Sequence, residues 1–165
     1  MDATLTHTLT QGAGPVLSGE YLTLRLGTEE YAIDIRQVQE IRSYEMPTKM
    51  VHSPSFVKGV INLRGVIVPI VDLRLKLQLP TVAYNDATVV VILNILGSTM
   101  GAVVDGVSDV VNLERESVKP APQFDGAIEA PFIVGLVTLH ERMLIVMNIE
   151  TLMGHSGLAV LPKMV

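Results

Sequence analysis

The 165-residue chain contains no cysteine and no tryptophan. Without thiols it can form neither a disulfide framework nor a thiolate metal site, which suits a reducing compartment. Aromatic residues are also scarce, with 3 Phe and 4 Tyr, and 17 acidic residues against 12 basic ones give a net charge of -5. Binding to nucleic acid or anionic lipid is therefore disfavoured, because it requires basic surfaces and, for single strands, aromatic platforms.

Long hydrophobic runs are missing as well. Apolar segments such as residues 66–71 and 89–93 fall far short of the roughly 20 residues that a membrane-spanning helix needs. The stretch from Met1 to Gly19 lacks both the basic start and the apolar core of a signal peptide. We therefore predict a cytoplasmic protein with no direct membrane insertion.

The chain also lacks the motifs on which most catalytic and metal sites depend. It has no GxSxG nucleophile elbow, no GxxxxGK[ST] phosphate loop and no GxGxxG. Asp105 and Asp109 are candidate paired carboxylates, but Asp105 precedes Gly106, and Asp-Gly is above all a turn signal. The four histidines show no metal-ligand spacing: His7, His52, His140 and His155. We predict no catalytic residue, no metal site and no cofactor.

What the chain does contain is much apolar sequence in short segments. It is 48% hydrophobic and 18% charged, with a mean hydropathy of +0.43, whereas a typical charged share is about 25%. Short runs of Val, Ile and Leu alternate with Gly, Pro, Asn and Asp, which predicts an all-β sandwich or barrel. The predicted strands are residues 21–26, 31–35, 38–43, 56–63, 66–71, 89–96, 101–104, 107–113, 132–139 and 143–147. Ten strands are too many for one small barrel.

An internal repeat predicts two related units. FVKGVINL at residues 56–63 aligns without gaps with FIVGLVTL at residues 132–139, and the register continues to Asp72 and Asn148. These two residues are each predicted to cap a short helix. The predicted helices are residues 73–77 and 149–153, the second ending at Gly154.

A second aligned block places Glu40 and Ile41 opposite Asp109 and Val110. Duplication is the simplest account: two units of about five strands, each closing its own barrel and hiding its sheet edges. The repeats would span about residues 31–79 and 88–154, and the first strand, residues 21–26, is a candidate to cross between the barrels. Chance similarity between Val- and Ile-rich strands is the alternative explanation.

Several stretches resemble the CheW family. They are VQEIR (residues 38–42), FVKGVINLRGVIVPIVDL (56–73), 84–86, 89–94 and 101–110, and the match runs from about residue 21 to 154. The resemblance implies two intertwined five-stranded barrels of the OB/SH3-like kind on a shared core. The predicted domain is then residues 19–154, between flexible tails at 1–18 and 155–165. Ser43 departs from the family pattern, where many relatives have Gly, which affects only that turn.

The resemblance also implies a role. CheW-like proteins are non-catalytic scaffolds that bind the cytoplasmic tip of chemoreceptors and the related regulatory domain of the histidine kinase CheA, in arrays at the inner face of the cytoplasmic membrane. Carried over by position, the receptor-binding groove would comprise Val38, Glu40, Gly59, Arg64, Val89 and Val110. Kinase contact would lie mainly on the second barrel, where Gly101 and Gly135 match assembly positions.

The residues themselves suggest physical tasks for these positions. The valines could form the floor of an apolar groove that accepts a helical hairpin, although each could equally be part of the core. Glu40 and Arg64 could pair across neighbouring strands at the rim. Gly59 and Gly135 could permit a close backbone approach or mark β-bulges. The alternative functions are the regulatory CheW-like module of a kinase and a barrel that binds a small ligand or nucleic acid.

Overall fold

The computed structural model describes residues 18–80, 82–120 and 131–154. Over these ranges the chain forms ten β-strands, two short α-helices and two 3-10 turns. The strands are β1 (Gly19–Leu26), β2 (Glu29–Asp34), β3 (Val38–Ser43), β4 (Val57–Leu63), β5 (Val66–Asp72), β6 (Val89–Ile95), β7 (Ser98–Val104), β8 (Gly106–Leu113), β9 (Ile133–Leu139) and β10 (Arg142–Met147). The helices are α1 (Leu73–Lys76) and α2 (Ile149–Gly154), and the 3-10 turns are Ile35–Gln37 and Arg115–Ser117. The all-β prediction is confirmed, and the tails predicted at 1–18 and 155–165 lie outside the described residues except for Ser18.

The strands form two five-stranded sheets that share no strand. One has the order β8-β1-β2-β10-β9 and is called here the terminal barrel, because it holds the first and last strands. The other has the order β3-β6-β7-β5-β4 and is called the central barrel, because its strands are consecutive in the chain. The chain therefore passes into the central barrel after β2 and returns after β7.

The two barrels have the same topology. Replacing each strand by the one five positions away in the chain converts the first order into the second, and the parallel pair β2–β10 has its counterpart in β7–β5. This correspondence supports duplication. The prediction that each half closes its own barrel is wrong, since the terminal barrel combines β1 and β2 with β8 to β10. The intertwined arrangement implied by the resemblance is found instead, because alternating apolar residues specify a strand but not its partner.

Each sheet is closed by the segment that follows its edge strand. After β3, Thr48 forms a two-bond bridge with Val60 of β4, with N···O distances of 3.0 and 2.9 Å. After β8, Lys119 forms the equivalent bridge with Leu136 of β9, at 2.8 and 2.7 Å. We call these bridges the central seam and the terminal seam. They pair backbone groups that would otherwise lie on an open sheet edge.

Three apolar cores hold the fold together. The largest lies between the barrels and takes side chains from both, among them Leu24, Ile33, Val91 and Leu93, together with Ile149 of α2. Two smaller clusters fill the barrel interiors. Because the largest core belongs to neither barrel alone, the barrels pack as one unit.

The two short helices begin where the sequence predicts. The carboxylate of Asp72 accepts a hydrogen bond from the backbone N–H of Arg74 at 2.9 Å. The side chain of Asn148 accepts one from the backbone N–H of Thr151 at 3.0 Å. These bonds satisfy amide groups that the first turn of a helix leaves unpaired, so both predicted caps are confirmed.

Candidate interaction surface

The ion pair expected between Glu40 and Arg64 forms in the central barrel. Glu40 lies on β3, and Arg64 lies in the turn between β4 and β5, where its φ is 51°. The Arg64 side chain is 66% exposed and that of Glu40 is 30% exposed. The hydrogen bond from Arg64 lowers the pKa of the Glu40 carboxyl below its usual value. Since β3 and β4 are the two edges of the sheet, this pair spans the closure of the barrel on its outer surface.

The three valines predicted to line a groove occupy different environments. Val38 and Val89 are half-buried and pack against the core between the barrels. They lie at opposite ends of the β3–β6 pairing, where Val38 is opposite Leu93 and Val89 is opposite Ser43. Val110 lies on β8 of the terminal barrel and is 48% exposed. Of these three, Val110 is the side chain that offers an apolar surface to solvent.

Gly59 and Gly135 sit under the two seams at equivalent positions. A Cβ on Gly59 would lie 2.0 Å from the carbonyl oxygen of Thr48, and one on Gly135 would lie 2.4 Å from that of Lys119. Such distances are far inside van der Waals contact, so each glycine permits the close approach of two backbones. Both glycines also adjoin a register shift in their strand pairing. The close backbone approach and the β-bulge, which the sequence offers as alternatives, therefore occur together.

Gly101 faces side chains, whereas the nearest atoms facing Gly59 and Gly135 belong to the backbone. It lies on β7 in the central barrel, where a Cβ would lie 2.6 Å from Cδ1 of Ile70 and 2.9 Å from Cγ1 of Val90. Gly135 belongs to β9 of the terminal barrel, so the expectation that both glycines mark a single barrel is wrong. The linear repeat could not show this, because the halves exchange strands.

Four exposed apolar side chains occupy matched positions on the two barrels. Ile41 on β3 is 44% exposed and corresponds to Val110 on β8. Ile67 on β5 is 42% exposed and corresponds to Met143 on β10, which is 57% exposed. Nothing in the sequence marks Ile41, Ile67 or Met143 as surface residues, although the repeat pairs Ile41 with Val110 and Ile67 with Met143. Each barrel therefore exposes two apolar side chains at positions that the repeat matches with those of the other barrel.

A charged cluster on the terminal barrel includes Asp109, which the repeat matches with Glu40, and Arg142, which lies two residues after the counterpart of Arg64, His140. Arg142 on β10 donates to Glu30 at 3.0 and 3.3 Å and to Asp109 at 3.1 Å. The buried hydroxyl of Thr23 also bonds to Asp109. The hydrogen bonds from Arg142 hold the pKa values of Glu30 and Asp109 below their usual range. Asp109 is thus held in its ionised form as the partner of an arginine.

The most deeply buried charges belong to Asp72 and Arg74, whose side chains are both fully buried. Arg74 donates to both carboxylate oxygens of Asp72 at 2.9 Å, to the carbonyl of Ala83 at 2.6 Å and to Asp105 at 2.7 Å. Tyr84 donates its hydroxyl to Asp72. Burial alone would raise the pKa of Asp72, but the hydrogen bonds from Arg74 and Tyr84 outweigh it and lower that pKa. The sequence predicts the cap at Asp72 but not the burial of Arg74, because no local pattern marks a buried arginine.

Comparison with known proteins places this arrangement in a family. The model of the CheW-like domain matches residues 20–157. The chain belongs to the CheW family. It is 47% identical over 152 residues to the chemotaxis protein CheW of Klebsiella aerogenes, covering 92% of each chain. It is 31% identical over 137 residues to the probable chemotaxis protein CheW of Rhizobium etli, covering 83% of this chain and 88% of that one.

A solved CheW structure shows the same fold. The scaffolding protein TtCheW from Thermoanaerobacter tengcongensis superposes with a TM-score of 0.76 at 28% sequence identity, over 86% of this chain and 96% of that one. These findings identify the chain as a chemotaxis coupling scaffold of the CheW family. The fold implied by the sequence resemblance, two intertwined five-stranded barrels, is confirmed.

Among the described residues, no group of three or more His, Asp or Glu side chains is placed to hold a metal ion. His52 and His140 lie apart, in a loop and in the β9–β10 turn, while His7 and His155 fall outside the described residues. Every buried side-chain N or O atom described has a hydrogen-bond partner. No helix within these ranges is long and apolar enough to cross a membrane.

Proposed function

We propose that this chain is a non-catalytic adaptor that couples the cytoplasmic tips of chemoreceptors to the histidine kinase CheA, in arrays at the inner face of the cytoplasmic membrane. Family membership supports the chemotaxis role. The specific partners follow from the resemblance of the recognised segments and from the surfaces that the two barrels present. Holding receptor and kinase together raises their effective concentration, so individually modest contacts suffice and no turnover is required.

The observation that carries the proposal is the matched exposure of apolar side chains on both barrels. Ile41 and Ile67 lie on the central barrel, and Val110 and Met143 occupy the equivalent positions on the terminal barrel. Covering apolar surface releases roughly 25 cal/mol for each Å² removed from water. A protein with exposed apolar side chains on both barrels offers its partners more than one contact site, which is what a coupling scaffold requires.

On the receptor side, the predicted groove residues act in two ways. Val110, Glu40 and Arg64 have side chains that solvent reaches, so they are the direct contacts. Val38 and Val89 support the surface from the core between the barrels. Gly59 acts indirectly, because its position under the central seam leaves no room for a side chain. A helical hairpin docking on an apolar surface with a charged rim fits this set.

On the kinase side, Gly101 and Gly135 also act indirectly. Both are buried, Gly101 inside the central barrel and Gly135 under the terminal seam. Larger residues there would displace the strands that carry the contact surface rather than meet the kinase. We therefore expect substitutions at these glycines to change kinase binding and stability together.

Co-sedimentation with receptor-containing membranes and purified CheA tests the proposal. Val110→Glu places a charge on an exposed apolar contact, and Arg64→Glu reverses the charge at the rim, so each should reduce the amount of chain that sediments. Val51→Glu and Arg115→Glu are matched controls at other exposed positions. All four variants should retain the wild-type far-UV circular dichroism spectrum.

Two results would contradict this proposal. If the wild-type chain does not sediment with receptor and CheA, the coupling function is wrong. If Val110→Glu and Arg64→Glu sediment as the controls do, the coupling function survives but the assignment of the receptor surface is wrong.

A further inference from the structure

The barrels are joined covalently at two points along the described strands. The chain enters the central barrel through the 3-10 turn Ile35–Gln37 and leaves it through Asp105, the single residue between β7 and β8. The connection from β5 to β6 stays within the central barrel. Asp105 thus occupies the shortest link between the two halves of the fold.

The carboxylate of Asp105 is shared between the barrels. One oxygen, Oδ1, accepts a hydrogen bond from Nη1 of Arg74 at 2.7 Å, on the central-barrel side. The other, Oδ2, accepts one from the backbone N–H of Gly27 at 2.7 Å, in the β1–β2 turn of the terminal barrel. The backbone of Asp105 adds two bonds to Arg25 of β1, at 3.0 and 3.1 Å. One residue therefore connects both barrels through short bonds, of which those to a charged carboxylate are the stronger kind.

Arg74, the partner of Asp105 in the central barrel, has little freedom to move. Arg74 is fully buried, and its remaining donors are held by Asp72 and by the carbonyl of Ala83. The ring of Tyr84 lies against the guanidinium, 4.8 Å from its central carbon. Arg74 is thus fixed on several sides before it reaches Asp105.

The other crossing between the barrels, through the 3-10 turn Ile35–Gln37, offers an internal comparison. There the carboxylate of Asp34 caps the 3-10 turn and pairs with Arg36, two residues away, whose side chain is 67% exposed. That pair is local to the crossing, whereas the bonds of Asp105 reach outward into both barrels. The two crossings therefore each carry an Asp–Arg pair, but they differ in what the pair connects.

We infer that Asp105 is a positioning residue that fixes the orientation of the two barrels relative to each other. Its carboxylate holds buried Arg74 of one barrel and the β1–β2 turn of the other. Resting on the proposed function, this means that Asp105 sets how the receptor contacts on the central barrel, Glu40 and Arg64, lie relative to Val110 on the terminal barrel. Loosening it should leave each barrel folded but misalign these contacts.

Distance measurement between spin labels tests this inference on the chain alone. Since the chain has no cysteine, exposed Ser98 on β7 and exposed Thr138 on β9 can be changed to Cys and labelled, one on each barrel. Asp105→Asn should widen the distribution of distances between these labels. A second label pair at Ser98 and Gln39, both on the central barrel, should be unaffected.

Asp34→Asn is the matched control, because it weakens the Asp–Arg pair of the other crossing; it should leave the Ser98–Thr138 distribution as in the wild type. An unchanged distribution in Asp105→Asn would overturn the inference, and so would equal broadening of the label pair within the central barrel. If Asp105→Asn fails to fold, Arg25→Ala removes only the bond to the Asp105 carbonyl and should give a smaller broadening.

The consequence for coupling has a separate readout. Asp105→Asn should sediment less with receptor-containing membranes than the wild type does, because its receptor contacts on the two barrels are misaligned, whereas Asp34→Asn should sediment as the wild type does. Wild-type sedimentation of a variant with broadened distances would overturn the link between barrel orientation and receptor binding. The label measurement needs neither partner, so it can fail or succeed independently of the proposed function.

Discussion

The close backbone contact under the central seam makes Gly59→Ala a demanding test of the fold. The added methyl group would lie 2.0 Å from the carbonyl oxygen of Thr48 and 2.6 Å from its carbonyl carbon. Those atoms belong to the backbone, so no side-chain rotation relieves the collision. The seam must open, and the two hydrogen bonds between Thr48 and Val60 are then weakened or lost. The φ of Gly59, +140°, is also one that alanine rarely adopts.

The expected magnitude follows from these contributions. Losing two backbone hydrogen bonds costs about 1–3 kcal/mol, and the residual overpacking costs a further 1–3 kcal/mol or so. Backbone strain at positive φ adds about 1–2 kcal/mol. Allowing for partial relaxation, we expect Gly59→Ala to lower the free energy of unfolding by about 3–5 kcal/mol, a large share of the 5–15 kcal/mol or so typical of a domain.

Gly65→Ala supplies the matched control. Gly65 also has a positive φ, +90°, but a Cβ there would meet nothing within 4 Å. Gly65→Ala should therefore lower the free energy of unfolding only by the backbone strain, about 1–2 kcal/mol. Urea unfolding followed by far-UV circular dichroism measures both variants. If the two losses differ by less than about 1 kcal/mol, the collision at the seam is not what Gly59 avoids, and its indirect role in partner binding loses its basis.

Two further predictions concern the helix caps. The free energy of unfolding should fall as the pH is lowered below about 4, because the stabilisation from the lowered pKa of Asp72 is complete only above the pKa of the unfolded state and is lost as the pH drops through the pKa of the folded state. Urea titrations between neutral and acid pH should show a shallower dependence of this free energy on pH in Asp72→Asn than in the wild type. An unchanged pH dependence would contradict the role assigned to Asp72. Asn148→Ala should lower the free energy of unfolding by about 1 kcal/mol in the same assay, because the hydrogen bond from the backbone of Thr151 is lost. Asn148→Asp should remain near the wild-type value, because aspartate can accept the same bond. Equal losses in the two variants would refute the capping role.

Local features of this fold could be predicted because they depend on local chemistry. Strand β3 was predicted at residues 38–43 and is found there, and the remaining strand ends differ by at most three residues. Alternating apolar side chains, turn residues and capping side chains act over a few positions, so the sequence displays them directly. The same holds for Gly59 and Gly135, whose equivalence the repeat alignment revealed before their contacts were known.

Features that depend on partners distant in the chain could not be predicted in this way. The exchange of strands between the halves is one such feature, because the sequence of β8 does not indicate that it pairs with β1 rather than with a neighbour in the chain. Arg74 and Asp105 are another: the first looked like an ordinary charged residue and the second like part of an Asp-Gly turn. Their ion pair joins residues 31 positions apart, and only the folded arrangement of the barrels shows that it exists.

The consecutive order of β3 to β7 has a consequence for how the molecule assembles. As the chain leaves the ribosome, all strands of the central barrel are available once β7 has emerged, but the terminal barrel lacks three of its five strands. The β1–β2 hairpin must wait until β10, whose Val146 lies opposite Ala32, has been synthesised. Contacts between such distant segments form slowly because a long loop must close first. We therefore expect β1 and β2 to be the part of the nascent chain most exposed to wrong partners.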